Sequence, residues 1–388
     1  MKNLRLLPLL AAGSLVLTGC ATISDAVDAI NPFSSSAPKM TPLQPFTAAV
    51  DLKTVWNASV GKAGDYVFQP AVVGDAVYAA GQDGVIRKFV DGKLAWKIDA
   101  GQPLSAGVGA NERLLAVGTA KGDVLTFATS DGKPVWRAKV SSEVLSVPAV
   151  GDEGVAVRSG DNRVFLFDIN DGGRKWLYQR PISSLSIRGA GAPIFADRYV
   201  FAGFPGGKLI ALALNNGAPV WEGTVSQPKG ATEVDRVADI VASPAVDGRQ
   251  ICAVAFQGRI ACFDLGQGGA MIWSRDLSSA TGLALDGRYL FVTDDKGVVY
   301  GLDRLSGSGL WKQDKLKSRR VGAPIVRRGQ VIVADGEGII HFLSRDDGSF
   351  LARQKTDGSA VKAPLQALGS SSVLVQTSGG TVAAIESQ

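Results

Sequence analysis

Seven tryptophans recur along this chain at a nearly constant interval, and few folds accommodate that rhythm. Trp56, Trp96, Trp136 and Trp176 are each 40 residues apart, and Trp221, Trp273 and Trp311 follow at steps of 45, 52 and 38. A period near 40 built from short strands signals a β-propeller, in which each repeat is one four-stranded blade. A glycine stands four residues before six of the Trps, at Gly92, Gly132, Gly172, Gly217, Gly269 and Gly307. Asp-Gly and Asn-Gly pairs supply the positive φ of a tight hairpin turn, so the run that carries Trp reads as the last strand of each unit. Pro-bearing apolar runs such as Pro70-Ala71-Val72, Pro148-Ala149-Val150 and Pro244-Ala245-Val246 open units.

Six units end at Trp96, Trp136, Trp176, Trp221, Trp273 and Trp311, and a seventh ends where Ala352 takes the Trp position. The segment from Pro364 to Ile385 holds only three strands. Val50–Trp56, which precedes the first complete unit, supplies the fourth. The expected fold is therefore all-β, an eight-bladed propeller of four antiparallel strands per blade, closed by the N-terminal strand so that two sheet edges vanish. The 46% apolar content is ample for one large core, and no long 3.6-residue periodicity follows residue 46.

The N-terminus reads as an address. Lys2 and Arg5 precede an apolar run, Leu6 to Val16, that is too short to span a bilayer. It ends in Leu17-Thr18-Gly19-Cys20, which resembles the lipobox of bacterial lipoproteins. The resemblance implies cleavage before Cys20, diacylglycerol on its thiol, and, with Ala21 next, export to the outer membrane. Several acyl chains on one residue anchor stably, whereas a single chain is marginal. The expected organisation is a signal peptide over 1–19, a lipidated Cys20 with a flexible Ser/Pro/Ala-rich tether to 46, and a propeller over 47–388.

The net charge of +5 falls to 39 basic against 36 acidic residues once the signal peptide is removed, too mild for nucleic acid. The local cluster Lys315, Lys317, Arg319 and Arg320, with Arg327 and Arg328 nearby, reads as a solvated inter-blade loop. Cys252 and Cys262 flank the Gln257-Gly258 turn on successive strands. Two small core residues is the preferred reading, and a cross-strand disulfide stays open. The single histidine, His341, lies in the apolar strand run Ile339-Ile340-His341-Phe342-Leu343 and reads as packed or tunnel-lining. No Ser–His–Asp arrangement and no Cys/His metal spacing appears, so no catalytic residue, metal site or cofactor is expected. Asp294-Asp295 and Asp346-Asp347 sit at turn positions.

The repeat departs from itself in two places. Most Trp-to-Pro connectors are 12–14 residues, but Trp176 to Pro193 spans 17 and Trp221 to Pro244 spans 23. Both run from the outer strand of one blade to the inner strand of the next. They should emerge side by side on one face, presenting Leu185-Ser186-Ile187-Arg188 beside Thr232-Glu233-Val234-Asp235-Arg236-Val237-Ala238-Asp239. An apolar pair with an Arg beside acidic groups suits a protein interface.

The repeat resembles the Trp-docking repeat of pyrroloquinoline-quinone dehydrogenases, in which the Trp stacks between blades. The chain lacks those enzymes' adjacent Cys pair, so the likeness covers the scaffold alone. From Cys20 onward, the lipobox, tether, eight blades and two loops together resemble the BamB family. Those are propeller lipoproteins of the outer-membrane β-barrel assembly machinery. That resemblance implies a non-enzymatic scaffold on the periplasmic side of the outer membrane. It further implies that Leu185, Ile187, Arg188 and Asp239 contact the POTRA domains of BamA, and through BamA the other subunits. Val241 stands where the family carries a second Asp, which puts one polar contact in question. Whether unfolded outer-membrane proteins are bound directly stays open.

Overall fold

The computed structural model describes residues 40–181 and 185–388. Within them the chain folds into eight four-stranded antiparallel sheets arranged in sequence order. The sheets are blades one to eight of a propeller. Their outer strands are Lys93–Asp99, Pro134–Lys139, Arg174–Tyr178, Pro219–Thr224, Ala270–Asp276, Gly309–Gln313, Phe350–Lys355 and, in blade eight, Leu52–Ser59. Among the described residues the one helical element is the short 3-10 turn Leu265–Gln267.

Strand composition follows position in the blade. The second strands, such as Leu114–Gly118 and Gly154–Arg158, are buried along their whole length because both faces press on neighbouring blades. They therefore read as continuous apolar runs, not as an alternation. The outer strands alternate. In Pro134–Lys139 only Trp136 and Ala138 are half-buried, and the other residues face solvent.

The Trp–Gly spacing acquires its meaning between blades. Each Trp ring lies on the turn glycine of the following blade, wherever the connector length puts it: Trp136 on Gly172, Trp176 on Gly217, Trp273 on Gly307. At Gly172 a Cβ would stand 2.6 Å from ring atoms of Trp136, and its φ is +71°. This position needs glycine twice over, for the left-handed backbone and for the close approach. The indole N–H reaches across the same junction. Trp136 Nε1 donates to Ile169 O at 3.0 Å, Trp176 to Leu214 O at 2.8 Å, and Trp311 to Arg345 O at 2.7 Å.

The same geometry explains Ala352. It occupies the register position of a Trp, opposite Phe342 just before a strand irregularity, as Trp311 stands opposite Gly301. The following blade, however, has no turn between its third and fourth strands for a ring to cover. There the ring is closed by pairing Leu52–Ser59 with Thr381–Ser387, from Leu52 opposite Ser387 to Ser59 opposite Thr381, and Gln388 N donates to Asp51 O. The closing strand thus starts two residues later and runs three residues further than Val50–Trp56.

Three sequence readings are corrected. The segment from Thr41 belongs to the propeller unit, not to the tether, because Leu43 packs into the core of blades six and seven. The basic cluster is not uniformly solvated, since Arg319 is buried and ion-paired with Asp335 at 2.7 Å. Cys252 and Cys262 stand directly opposite each other, with Cα atoms 4.1 Å apart, and are joined by a disulfide within the core of blade five. Adjacent, fully buried sulfurs on paired strands are close enough to bond, and register, which sequence does not specify, brought them there. Signal peptide residues 1–19, Cys20 and most of the tether lie outside the described residues.

Candidate partner-binding site

The blades fix a common face for the long connectors. A connector from an outer strand to the next inner strand lies beside the turns between second and third strands. Phe256 N donates to Asp239 O and Gly160 N to Glu143 O, one such contact for each of two blades. The connector after blade three carries Leu185–Arg188; residues 182–184 within it lie outside the described residues. The connector after blade four carries Thr232–Asp239.

The second loop is organised locally. Thr232 Oγ1 donates to Asp235 Oδ2 at 2.7 Å, and Asp235 N returns a bond to Thr232 Oγ1 at 3.2 Å. This reciprocal Thr-x-x-Asp arrangement starts a single turn, as a capping box does. The hydrogen bonds from Thr232 hold the Asp235 carboxyl below its usual value. The turn puts Val234 outward, 61% exposed.

Asp239, expected to meet a partner, does not reach the surface. It is 2% exposed, and its two carboxylate oxygens accept from Ile187 N at 2.8 Å and Gly206 N at 3.0 Å. Its position therefore latches the first loop onto the second. Arg158, buried beneath, lies in the field of Asp239. Burial pushes its pKa down to about 10, against the opposing pull of that carboxylate. Arg158 Nη2 donates to Asn162 Oδ1 at 2.6 Å, and Asn162 Nδ2 in turn donates to Ser186 Oγ at 3.3 Å. A buried charge is retained only when so bonded. Val241 is buried too, and Gly189 and Gly191 leave room for its backbone.

The outward residues are Leu185, 43% exposed, Val234, and Arg188, with Ile187 half-buried. The Arg188 guanidinium lies 3.2 Å from Glu143 Oε1 of the preceding connector. A hydrogen bond from Ser142, and then Arg188 itself, keeps the Glu143 carboxyl below its usual value. With Arg188 77% exposed, such a pair contributes little to stability, and its service is to hold the guanidinium in place. A cleft of about 350 Å³ opens beside the loops, lined by Leu185, Pro205, Pro228, Arg180, Lys208 and Arg236.

The structure thus brings Leu185, Ile187, Arg188 and Asp239 together, in two different roles. Sequence reasoning missed Arg158, Asn162 and Glu143. A lone Arg ending the apolar run of Gly154–Arg158 was the available signal. No cluster of metal-ligating side chains occurs among the described residues.

Fold and site together define an eight-bladed propeller of Trp-docking repeats that presents two latched loops on one face. The family model described as outer membrane protein assembly factor BamB matches residues 82–313 and 295–388. A relative of the same name from Burkholderia pseudomallei is 43% identical over 373 residues, covering 95% of each chain. The crystal structure of BamB from Moraxella catarrhalis superposes with a TM-score of 0.81 at 26% identity, over 87% of this chain and 100% of that one. A europium-containing methanol dehydrogenase, at TM-score 0.72 and 13% identity over 86% of this chain and 93% of its own, shares the fold alone. This chain belongs to the BamB family.

Proposed function

We propose that this chain is a non-enzymatic scaffold in outer-membrane protein assembly, held by a lipid on Cys20 at the inner leaflet of the outer membrane and facing the periplasm. Its connector face docks on POTRA domains of BamA and so joins the other subunits of the machinery. The observation that carries this reading is the latched loop pair. Two connectors that depart from the repeat are bonded to each other and turn Leu185, Val234 and Arg188 outward. The names of the relatives, assembly factors of outer membrane proteins, support the pathway.

Leu185 and Val234 provide apolar area and Arg188 a planar donor, the residue types that dominate interface energetics. Arg188 need not be recruited from solvent, because Glu143 already orders it. Burying that guanidinium against a partner carboxylate makes truncation cost about 2 kcal/mol, or roughly thirtyfold in affinity.

The test is calorimetric titration of the soluble chain, starting after Cys20, with purified POTRA domains of the same organism's BamA, with Arg188→Ala in parallel. Micromolar binding that weakens about thirtyfold in the variant, with its circular dichroism unchanged, is expected. Unchanged affinity in the variant would refute the site. No binding by the wild type would refute the docking reading.

A further inference from the structure

The two docking loops stand at the open end of a zipper between their connectors. Ala192 N donates to Ser243 Oγ at 2.9 Å. Gly191 and Gly189 then lie against Ala242 and Val241, so closely that a Cβ at Gly189 would stand 2.8 Å from the Val241 Cβ. The last rung is the bond from Ile187 N to the Asp239 carboxylate. Leu185 lies beyond that rung, and Arg188 turns outward beside it. The lower rungs are glycine packing and one neutral bond. The last rung is ionic, so it depends on the charges around the acid.

Beneath the last rung lies a charge that a partner cannot reach. Of the eight second strands only Gly154–Arg158 carries a charged residue. Arg158 is buried, with its guanidinium carbon 5.9 Å from the centre of the Phe204 ring in blade four. One branch from it runs to Asn162, and from Asn162 to Ser186, which adjoins the last rung in the first loop. The other is the attraction of Asp239, which opposes the effect of burial on the arginine. The same carboxylate holds Gly206 N in a turn of blade four. A buried charge pair is seldom worth more to stability than apolar side chains of the same volume. A lone arginine on an otherwise apolar strand therefore points to a use other than stability.

We infer that Arg158 is a positioning residue for docking. It pins the first loop through Asn162 and Ser186 and the second through Asp239, closing the last rung so that Leu185, Arg188 and Val234 meet a partner as one surface. This rests on the docking reading above and deepens it. Asp239, with both oxygens taken by backbone N–H groups, acts on the partner only through the loops. A partner that recognises the closed pair binds with an affinity scaled by the fraction of chains in which the rung is closed.

The soluble chain starting after Cys20 is compared with Arg158→Met, Asp239→Asn and Asn162→Gly, the last because glycine keeps the φ of +60° found at Asn162. Hydrogen exchange of the Ile187 and Gly206 amides reads the rung in the free chain, and titration with the POTRA domains reads docking. In Arg158→Met the rung should be open in about nine-tenths of the chains. Both amides then lose their protection, affinity falls about tenfold, and the blade amides stay as they were. Asp239→Asn should match it, and the double variant should be no worse than either, whereas adding Arg188→Ala should multiply the loss. Asn162→Gly should lose less of both. Protected amides in Arg158→Met, affinity undiminished once the amides are exposed, or losses from Arg158→Met and Asp239→Asn that multiply would each overturn the positioning role. If Arg158→Met exposes the blade amides too, Asn162→Gly decides, and unchanged protection and affinity there would overturn it. A wild type that binds no POTRA domain refutes the docking reading instead, and the exchange of the free chains still shows whether Arg158 closes the rung.

Discussion

Gly172→Ala tests the inter-blade junction most directly, because two separable costs meet at one atom. The new Cβ would lie 2.6 Å from Cδ2 and Cε3 of Trp136, and the residue has a φ of +71°. An alanine in the left-handed region costs about 1–2 kcal/mol whatever surrounds it. Forcing a packed ring aside adds about 1–3 kcal/mol, and the ring cannot move freely because its N–H is bonded to Ile169 O. The expected loss is therefore about 3 kcal/mol, a large share of the ~5–15 kcal/mol that holds a native protein. Trp136→Ala alone should cost about 3 kcal/mol as the ring and its bond disappear. In the Trp136→Ala background the steric part vanishes, so Gly172→Ala should then cost only about 1–2 kcal/mol. The four proteins are compared by urea unfolding followed by far-ultraviolet circular dichroism, with slopes checked for equality. The reasoning fails if Gly172→Ala costs as much without Trp136 as with it, since the ring would then not be what the glycine makes room for.

Acid should destabilise blade seven through buried His341, whose Nε2 lies 3.0 Å from Asp335 Oδ2. Burial, aided by Arg353 and Arg319 and opposed by Asp335, lowers the His341 pKa below its ordinary value of 6.5. Below that value the unfolded chain binds a proton that the native chain refuses, so stability falls as pH drops through 6.5 toward the lowered native value. Asp335, held below its usual value despite burial by bonds from His341, Ile339 N and Arg319, adds a second loss only below its unfolded value of 3.8. Thermal melts of the wild type between pH 7.5 and 5 should show the first loss, and His341→Asn should flatten it; parallel curves would contradict the assignment. Breaking the Cys252–Cys262 bond releases a loop with a sequence separation of 10. The paired Ala variant, or the wild type under strong reductant, should lose about 3 kcal/mol in urea unfolding. An identical midpoint with and without the bond would show that it contributes nothing.

Blade number, the Trp–Gly rhythm, the ring closure and the two long connectors were legible because each is a local pattern that repeats. A turn needs its glycine and a strand its apolar run wherever they fall. Connector spacing also put the Leu185–Arg188 and Thr232–Asp239 loops in one neighbourhood, since consecutive connectors on one face must be adjacent, and the family resemblance singled out Leu185, Ile187, Arg188 and Asp239 within them. Their roles were not legible. Asp239 looks like a surface acid in a polar loop. It is a latch because Ile187, 52 residues away, and Gly206, 33 away, present their amides to it. Ala352 reads as a degenerate repeat until the closing junction shows that no turn awaits a ring there. Arg319 and Arg353 read as solvated charges until Thr41 and Gln44 return to them across 278 and 309 residues. Periodicity specifies which residues face inward within a blade. It leaves open which partners meet across blades, because register and ring closure are properties of the whole circle, and those alone decide whether a charged side chain is solvated or buried and paired.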